Sequence, residues 1–354
     1  MFYVSGPVDN QAARLLLYIS CSKSLAFLLH EKSVIIERMD KHMEIIIQLL
    51  LITAGFIMLV KGSDWFVEGA SKMAEKFGIP QLIIGLTIVA MGTSSPEAAV
   101  SITAALKNNA GISVGNVVGS NNLNILIILG LSSVVTALAV SQSTIWREIP
   151  YMILITILLL ILGMTGNSIG TAEGIILWIA FLLYMFYLVH SARKNKEIIT
   201  AEMQHYSLPK LLILCVAGLV LTVWGSNVTV NAASSLARIL GMSDRFIGLT
   251  SVSLGTSLPE LFTSVNAARK GNADIAIGNI VGSNIFNILF VLGTAALITP
   301  ITFSAAFIPD TVIAIGTGAL LWLLTFRKKK LERTGGIIIL LAYAAYFVFL
   351  LAVK

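Results

Sequence analysis

Residues Gly85 to Gly130 read GLTIVAMGTSSPEAAVSITAALKNNAGISVGNVVGSNNLNILIILG, and residues Gly248 to Gly293 read GLTSVSLGTSLPELFTSVNAARKGNADIAIGNIVGSNIFNILFVLG. The two stretches align without a gap at a constant offset of 163 residues (293 − 130), and about 27 of the 46 aligned positions are identical. Self-similarity over such a length indicates that the fold is assembled from two related halves.

The composition of the chain indicates a membrane protein. Apolar residues make up 56% of its 354 positions and charged residues only 12%, and the mean hydropathy is +0.89. Soluble domains carry about 25% charged residues, so much of this apolar surface must contact lipid. The apolar stretches are longer than barrel strands and do not alternate with polar residues, which favours helices. About ten segments are long enough to cross a bilayer, at residues 44–61, 80–104, 112–138, 148–166, 171–191, 209–231, 246–268, 275–298, 307–326 and 335–353.

The spacing of the repeat predicts an all-α membrane protein with about ten transmembrane helices in two inverted five-helix repeats. The offset contains five predicted segments, an odd number, so the second copy enters the membrane from the side opposite to the first. We predict repeats at residues 43–192 and 209–354, a linker at 193–208 and an N-terminal extension of unknown role at 1–42. Inverted repeats are typical of secondary transporters, whose ion sites lie near the bilayer midplane. Duplication kept for helix packing alone explains the glycines of GNVVGS and GNIVGS but not the acidic residues.

The charged residues predict the orientation of the chain. The formal net charge is +6, but no basic patch with aromatic stacking residues accompanies it, so we expect no nucleic-acid partner. Most Lys and Arg residues fall in the loops after segments one, three, five, seven and nine, which share one face. The positive-inside rule makes that face cytoplasmic. We therefore predict a multi-pass protein of the cell membrane with a cytoplasmic basic linker and both termini extracellular, and leave its oligomeric state open.

Two acidic residues within the repeats are candidates for ion binding. Glu97 and Glu260 are related by the 163-residue offset and fall near the middle of apolar segments, where a charged side chain costs on the order of 2.5 to 3.5 kcal/mol. Lys107, Arg269 and Lys270 stand at segment ends, and no Lys or Arg of the flanking segments lies at comparable depth. A metal cation or protons are therefore predicted to balance the two acids.

Oxygen-bearing residues surround both glutamates. GTSSPE and GTSLPE place hydroxyls beside each acid, and proline, which clashes with the carbonyl four residues earlier, is expected to break the helix and free backbone carbonyls. The motifs that follow add Ser and Asn at i and i+4, on one helical face. Calcium takes 6 to 8 such oxygens, whereas softer metals require His or Cys, which the repeats lack. The predicted metal-site residues are Glu97, Glu260, Thr93, Thr256, Ser94, Ser257, Ser120, Ser283, Asn124, Asn287, Ala90 and Ser253.

These motifs resemble those of the cation/calcium antiporter superfamily, specifically the prokaryotic sodium/calcium exchangers. GTSSPE with GNVVGSNNLN and GTSLPE with GNIVGSNIFN are similar to the two alpha repeats of that family, and the resemblance covers everything after about residue 43. It implies electrogenic exchange of several sodium ions for one calcium ion by alternating access, with the long first helix of each half sliding against a static core. Ca²⁺ and Na⁺ are then the transported ions, the lipid bilayer is the other partner, and no cofactor is expected.

The resemblance also implies a role for each candidate residue. Glu97 and Glu260 resemble the central ligands shared by calcium and sodium. Asn287 stands where some relatives, including potassium-dependent exchangers, have aspartate, which argues against potassium dependence. The other matches are Thr93 and Thr256 at the calcium site, Ser94 with Ser120 and Ser257 with Ser283 at flanking sodium sites, Ala90 and Ser253 as carbonyl ligands, and Asn124 and Asn287 as middle-site amides.

Three other functions compete with sodium/calcium exchange. Calcium/proton antiport would use protonation of the same two glutamates, although the non-titratable oxygens beside each acid favour sodium. A passive channel also uses oxygen-lined sites but lacks coupled fluxes. An intramembrane hydrolase is disfavoured because the sequence has no GxSxG elbow, aspartyl dyad motif or histidine at membrane depth, so we expect a transporter and not an enzyme.

Overall fold

The computed structural model describes the backbone of residues 10–107, 111–195, 207–241 and 244–352, and the side chains of residues 42–107, 111–195, 207–241 and 255–350. Most of the predicted extension and of the predicted linker lies outside the residues with described side chains. The described chain is almost entirely helical, as lipid requires, because a helix satisfies its own backbone hydrogen bonds.

Helices follow one another along the described chain, with short strands between some of them. The helices are α1 (Asn10–Phe77), α2 (Gln81–Thr93), α3 (Ser95–Leu106), α4 (Gly111–Val135), α5 (Thr144–Met164), α6 (Thr171–Lys194), α7 (Leu208–Ile239), α8 (Asp244–Arg269), α9 (Ala273–Ile298), α10 (Phe307–Thr325) and α11 (Arg333–Ala352). The strands are β1 (Leu138–Ala139), β2 (Ser168–Ile169), β3 (Ile301–Thr302) and β4 (Lys330–Leu331). π-Helical turns occur in α2, α4, α5 and α9, and those of α4 and α9 begin at Asn124 and Asn287.

The protein is an all-α membrane protein. Eight helices of the described chain are long and apolar enough to cross a bilayer, namely α1 from His42 onward, α4 to α7, and α9 to α11. Helices α2 and α3 together form a ninth candidate, bent by 49°. The remaining predicted segment, 246–268, lies within α8, whose side chains are described only from Gly255 onward. The predicted number of ten therefore stays a prediction.

The long helices α1 and α7 pack against each other in antiparallel directions. The neighbours along their interface are Gly55 with Gly225 and Thr229, Gly62 with Gly218 and Thr222, and Gly69 with Cys215. A Cβ atom on Gly62 would lie 2.6 Å from the backbone nitrogen of Thr222, and a Cβ atom on Gly218 would lie 2.5 Å from the backbone nitrogen of Phe66. Only glycine permits this approach, which maximises van der Waals contact between membrane helices.

Equivalent parts of the two halves contact each other reciprocally. Strand β1 pairs with β4 and β2 pairs with β3, both antiparallel, and the 163-residue offset relates Leu138 of β1 to Ile301 of β3. Helices α4 and α9 are the most deeply buried of the membrane-spanning candidates, and they meet at the equivalent residues Asn121 and Asn284. This reciprocity is that of a pseudo-two-fold axis, as inverted repeats require, and it places α4 and α9 at the centre of the molecule.

Candidate ion-binding site

Both candidate glutamates are buried where the two halves meet. Glu97 lies in the first turn of α3, immediately after the bend, and Glu260 follows Pro259 inside α8. Their side chains are 1% and 0% exposed, and the two carboxylates interact electrostatically. The fold therefore brings together two acids that lie 163 residues apart in the chain.

No basic side chain forms an ion pair with either glutamate in the described part of the chain. The ion pairs found there are Lys72–Glu68, Lys270–Asp64, Lys328–Glu332 and Lys330–Glu332. Glu332, in the loop before α11, shows how a paired acid behaves, since hydrogen bonds from Lys328 and Lys330 hold its pKa below the usual range. The charge of the two buried glutamates has no such compensation.

Each glutamate accepts a hydrogen bond from the half that does not carry it. Ser94 Oγ donates to Glu260 Oε1 at 2.8 Å, and Ser257 Oγ donates to Glu97 Oε1 at 3.4 Å. Ser94 and Ser257 were predicted as hydroxyl donors near the two acids. The fold links each of them to the glutamate of the other half, so the two motifs form one shared cluster.

The threonines of the two motifs belong to the same cluster. Thr93 is fully buried, and its Oγ1 atom lies 3.0 Å from Asn279 Oδ1 of α9. Its side chain also interacts with Glu260, as that of Thr256 does with Glu97. The fold thus brings the predicted hydroxyls of α2 and α8 to the two carboxylates.

Four asparagines join α4 to α9. Asn121 and Asn284 each donate to the backbone carbonyl of the other at 3.1 Å. Asn124 Nδ2 donates to Asn284 Oδ1 at 2.9 Å, and Asn287 Nδ2 donates to Asn121 Oδ1 at 3.1 Å. These bonds engage the amide nitrogens of Asn124 and Asn287 and leave the carbonyl oxygens of the two side chains as their free ends.

Several buried oxygens of this region have no hydrogen-bond partner among the described residues. They are Glu97 Oε2, Glu260 Oε2, Asn124 Oδ1, Asn287 Oδ1 and Ser120 Oγ. Buried polar atoms are nearly always bonded, and an unsatisfied one costs about 1 to 3 kcal/mol. Carboxylate, amide and hydroxyl oxygens are the ligands that calcium takes, and nowhere in the described ranges do three His, Cys, Asp or Glu side chains form a metal-binding group. The donor set therefore fits a hard cation and not a thiolate or imidazole metal site.

The bend between α2 and α3 lies next to Pro96, where the sequence predicts a break in the helix. Pro96 has no N–H to bond the carbonyl of Gly92, four residues earlier. Ser95 Oγ donates to that carbonyl at 2.7 Å instead. At the 49° bend between α2 and α3, the carbonyl of Gly92 therefore keeps a hydrogen bond, donated by the serine beside the proline.

The second half corrects the prediction that both helices break. Helix α8 continues through Pro259. The carbonyl of Gly255, which the proline cannot bond, accepts a hydrogen bond from Ser226 Oγ of α7 at 2.5 Å. A hydroxyl thus replaces the missing N–H in both halves, from the adjacent Ser95 in the first and from a neighbouring helix in the second.

Of the two predicted carbonyl ligands, Ala90 lies among the residues with described side chains. Its oxygen accepts the backbone N–H of Ser94 at 3.0 Å, so the bend does not remove its helical hydrogen bond as the sequence predicted, although a carbonyl oxygen has a second lone pair. Ser283 Oγ donates to the same oxygen at 3.4 Å, which places this predicted residue against α2. Ser253 lies outside the residues whose side chains are described.

Two asparagines not singled out in the sequence hold the glutamate-bearing helices in place. Asn116 Nδ2 of α4 donates to the backbone carbonyl of Glu97 at 3.2 Å and to Ser101 Oγ at 3.0 Å. Asn279 of α9 donates to Ser264 Oγ at 2.9 Å in the same way. A signal for this pair exists in the sequence, because both residues follow glycine in GNVVGS and GNIVGS and are identical across the repeat.

A cavity of about 490 Å³ adjoins the glutamate region on one side of the pseudo-two-fold axis. Its walls include Ser95, Ala99 and Thr256. At the position equivalent to Ala99, the ring of Phe262 packs against Phe56 with ring centroids 5.8 Å apart. The two halves therefore differ at this position beside the glutamates, where the first has a small residue on the cavity wall and the second has an aromatic ring.

Comparison with known proteins identifies the family of the chain. The sodium/calcium exchanger protein family matches residues 47–190 and again residues 210–352. The chain is 39% identical over 308 residues to the putative antiporter CaxA of Alkalimonas amylolytica, covering 84% of this chain and 96% of that protein. It is 32% identical to the sodium/calcium exchanger MaX1 of Methanosarcina acetivorans, covering 86% and 99%.

A solved structure extends the similarity to three dimensions. The sodium-calcium exchanger NCX_Mj, soaked with sodium and strontium ions, superposes with a TM-score of 0.77 at 31% identity, covering 86% of this chain and 98% of that one. One family thus matches both halves of the sequence, and its fold matches most of the chain. The chain belongs to the sodium/calcium exchanger protein family.

Proposed function

We propose that the protein is a secondary antiporter that exchanges sodium ions for calcium across the cell membrane by alternating access, with electrogenic calcium export as its physiological direction. The observation that carries the proposal is the pair of buried carboxylates, Glu97 and Glu260, with no basic partner among the described residues and with unsatisfied neutral oxygens nearby. Membership of the exchanger family and the relative named as a sodium/calcium exchanger support the choice of ions.

Charge balance explains why exchange at this site responds to voltage. Two carboxylates neutralise one calcium ion. If more than two sodium ions replace it, each cycle moves net charge, which is worth about 2.3 kcal/mol per elementary charge per 100 mV. We therefore expect the membrane potential to drive transport together with the sodium gradient.

We assign the same residues to the ions as the motifs imply. Glu97 and Glu260 are the ligands common to both ions, and the cross-links of Ser94 and Ser257 to the opposite glutamates couple the sodium sites to the central pair. Calcium ligands in this proposal also include Thr93 and Thr256; Ser120 and Ser283 complete the sodium sites, Asn124 and Asn287 the middle site, and Ala90 and Ser253 contribute carbonyls.

The proposed cycle uses the long helices as the moving part. Helices α1 and α7 contact each other closely through glycine along an antiparallel interface, so in the proposed cycle the two helices move together and slide against the remaining helices. The proposed orientation has both termini outside the cell and the linker 193–208 in the cytoplasm, by the positive-inside rule. In this orientation the two halves present the glutamates to opposite faces in turn.

Transport by the reconstituted protein tests the proposal. Liposomes loaded with sodium are expected to take up radiolabelled calcium, and uptake is expected to rise when the interior is made electrically positive, because net positive charge leaves with sodium. An inward or outward potassium gradient is expected to change nothing beyond its effect on voltage. Calcium uptake that ignores the membrane potential would contradict electrogenic exchange.

Calcium/proton antiport is the second candidate because the two glutamates are themselves titratable. It predicts calcium uptake into sodium-free liposomes when the interior is acidic. Sodium/calcium exchange predicts no uptake under those conditions, since the neutral oxygens bind sodium but carry no proton. A single pair of measurements, with an opposed sodium gradient or an opposed proton gradient, separates the two.

Replacing Asn116 with alanine is expected to weaken calcium binding without abolishing exchange. The substitution removes the hydrogen bonds that hold α3 at Glu97 and Ser101, a loss of about 1 to 2 kcal/mol, so the calcium concentration for half-maximal uptake is expected to rise roughly tenfold. Asn122→Ala is the control, because Asn122 lies on the same helix but donates to Asp310 of α10. Equal half-maximal concentrations in the two variants would argue against a positioning role.

A further inference from the structure

A second buried acid lies outside the candidate ion site, at the start of α5. Glu148 is 1% exposed. Its Oε1 atom accepts hydrogen bonds from the hydroxyl of Tyr187 at 2.7 Å and from Ser143 at 2.9 Å. Its Oε2 atom has no hydrogen-bond partner among the described residues. Nothing in the exchange cycle uses this carboxylate.

Stacked tyrosines line the same cavity as Glu148. Tyr151 and Tyr184 stack with ring centroids 5.1 Å apart and planes 12° apart, and Tyr184 also stacks with Tyr187 at 6.3 Å. The hydroxyl of Tyr184, a residue only 5% exposed, has no partner within the described ranges either. A carboxylate oxygen and a phenol oxygen are therefore both buried and available to a ligand.

A cavity of about 420 Å³ contains these groups and opens to the outside of the helix pair. Glu148 and Tyr184 line it together with Leu154 and Leu183, which are 60% and 64% exposed. Exposed leucines on the flank of a membrane helix contact lipid. Arg147, within the first turn of α5, lines the cavity as well. Since Arg and Lys near the ends of membrane helices reach the interface, we expect the end of the cavity beside Arg147 to lie at the depth of lipid headgroups.

The charges of the cavity are complementary to a zwitterion. Glu148 supplies a negative charge inside the cavity, and Arg147 supplies a positive charge at its edge. The Arg147 side chain interacts with the Tyr187 hydroxyl and, at longer range, with the charge of Glu148. The ion pairs of the described residues do not include a direct Arg147–Glu148 pair, so Glu148 Oε2 keeps no hydrogen-bond partner and can accept one from a ligand.

We propose that this cavity binds the headgroup of an aminophospholipid. A primary ammonium, which carries three N–H donors, bonds to Glu148 Oε2 and to the Tyr184 hydroxyl and lies against the tyrosine rings, which attract cations. Arg147 binds the phosphate through its guanidinium. The acyl chains extend along the exposed side of Leu154 and Leu183. A soluble phosphate ester has no chains to make these contacts, so the proposed ligand is a membrane lipid.

The repeat supports a role separate from exchange. The positions equivalent to Arg147, Glu148 and Tyr151, 163 residues later, are occupied by Asp310, Thr311 and Ala314. The glutamates and most ligands of the ion site are duplicated, but this cluster is not. It therefore belongs to the first half alone, and the pseudo-two-fold symmetry of the exchange site does not require it.

Lipid titration of the purified full-length protein tests the proposal. Delipidated protein in detergent is titrated with phosphatidylethanolamine, phosphatidylcholine or phosphatidylglycerol of identical acyl chains, and bound lipid is counted by native mass spectrometry. We expect phosphatidylethanolamine to bind about tenfold more tightly than the other two lipids, because its headgroup alone combines a positive charge with N–H donors. Phosphatidylcholine has the charge but no donor, and phosphatidylglycerol has hydroxyl donors but no positive charge. Equal binding of the three lipids would overturn the proposal.

Two variants locate the binding site. Glu148→Gln and Tyr184→Phe are each expected to remove most of the preference for phosphatidylethanolamine. Tyr184→Phe deletes one hydroxyl and keeps the stacked ring, so it tests the site even if Glu148→Gln does not fold. Glu173→Gln is the matched control, since Glu173 lies at the opposite end of the same helix pair and accepts the N–H of Gly170. An unchanged preference in Tyr184→Phe, or a loss in Glu173→Gln, would count against this cavity.

Discussion

Glu97→Gln and Glu260→Gln are each expected to abolish exchange, lowering sodium-dependent calcium uptake by at least about a hundredfold. Glutamine keeps the volume of the side chain but removes one of the two negative charges that balance a doubly charged ion. Removing one partner of a buried charge pair costs about 3 to 5 kcal/mol, which is more than a hundredfold in binding. The two variants are expected to fail equally, because each acid occupies the same position in its half.

Stability measurements separate this loss of function from misfolding. The parent protein holds two unbalanced buried acids, so a neutral amide at either position removes an unfavourable charge, and we expect the melting temperature in ion-free detergent to stay level or rise. Glu173→Gln, which changes an acid outside the site, is expected to transport at the parent rate. A Glu97→Gln or Glu260→Gln protein that exchanged ions at the parent rate would show that the carboxylate pair is not the site.

Gly218→Val is expected to prevent stable packing of α1 against α7, with a loss of about 3 kcal/mol or more in the free energy of unfolding. The first added carbon would lie 2.5 Å from the backbone nitrogen of Phe66 and 2.8 Å from the carbonyl of Gly62. Both are backbone atoms, so no side-chain rotation relieves the clash and the two helices must separate. Thermal unfolding in detergent, followed by tryptophan fluorescence, measures the effect.

The matched control for this substitution is Gly316→Val in α10. A carbon added at Gly316 meets nothing within 4 Å, so valine there faces the outside of the helix without strain. We expect this protein to melt close to the parent and to keep its transport activity. Similar melting temperatures for Gly218→Val and Gly316→Val would mean that the long helices are not in close contact.

The repeat in the sequence was enough to predict which pair of acids and which kinds of side chain lie at the candidate site. Glu97 and Glu260, each in an apolar segment, identified the central pair, and the serines and threonines beside them identified hydroxyl neighbours that the fold brings to the carboxylates. The sequence did not indicate that each serine bonds to the opposite glutamate, because that depends on how the halves cross. The positioning role of Asn116 and Asn279 was missed for the same reason.

Helix ends and the effect of proline depended on neighbours that local sequence does not reveal. The first segment was predicted at 44–61, but α1 continues to Phe77. Charged residues end the apolar stretch there but are compatible with a helix, since Glu68 pairs with Lys72 one turn later and Asp64 pairs with Lys270, immediately after α8. Pro259 likewise left α8 intact because Ser226 of another helix bonds the carbonyl of Gly255.

The hydrogen bonds that Ser94 and Ser257 each donate to the glutamate of the other half have a consequence for the history of the molecule. Since each acid depends on a donor from the other half, a half-length ancestor could complete a site only as a pair of identical subunits inserted in opposite directions. Gene fusion then freed the copies to diverge, as Ala99 and Phe262 have done at matching positions. The symmetric ancestor could not have had a small residue on one side of the site and an aromatic ring at the matching position on the other.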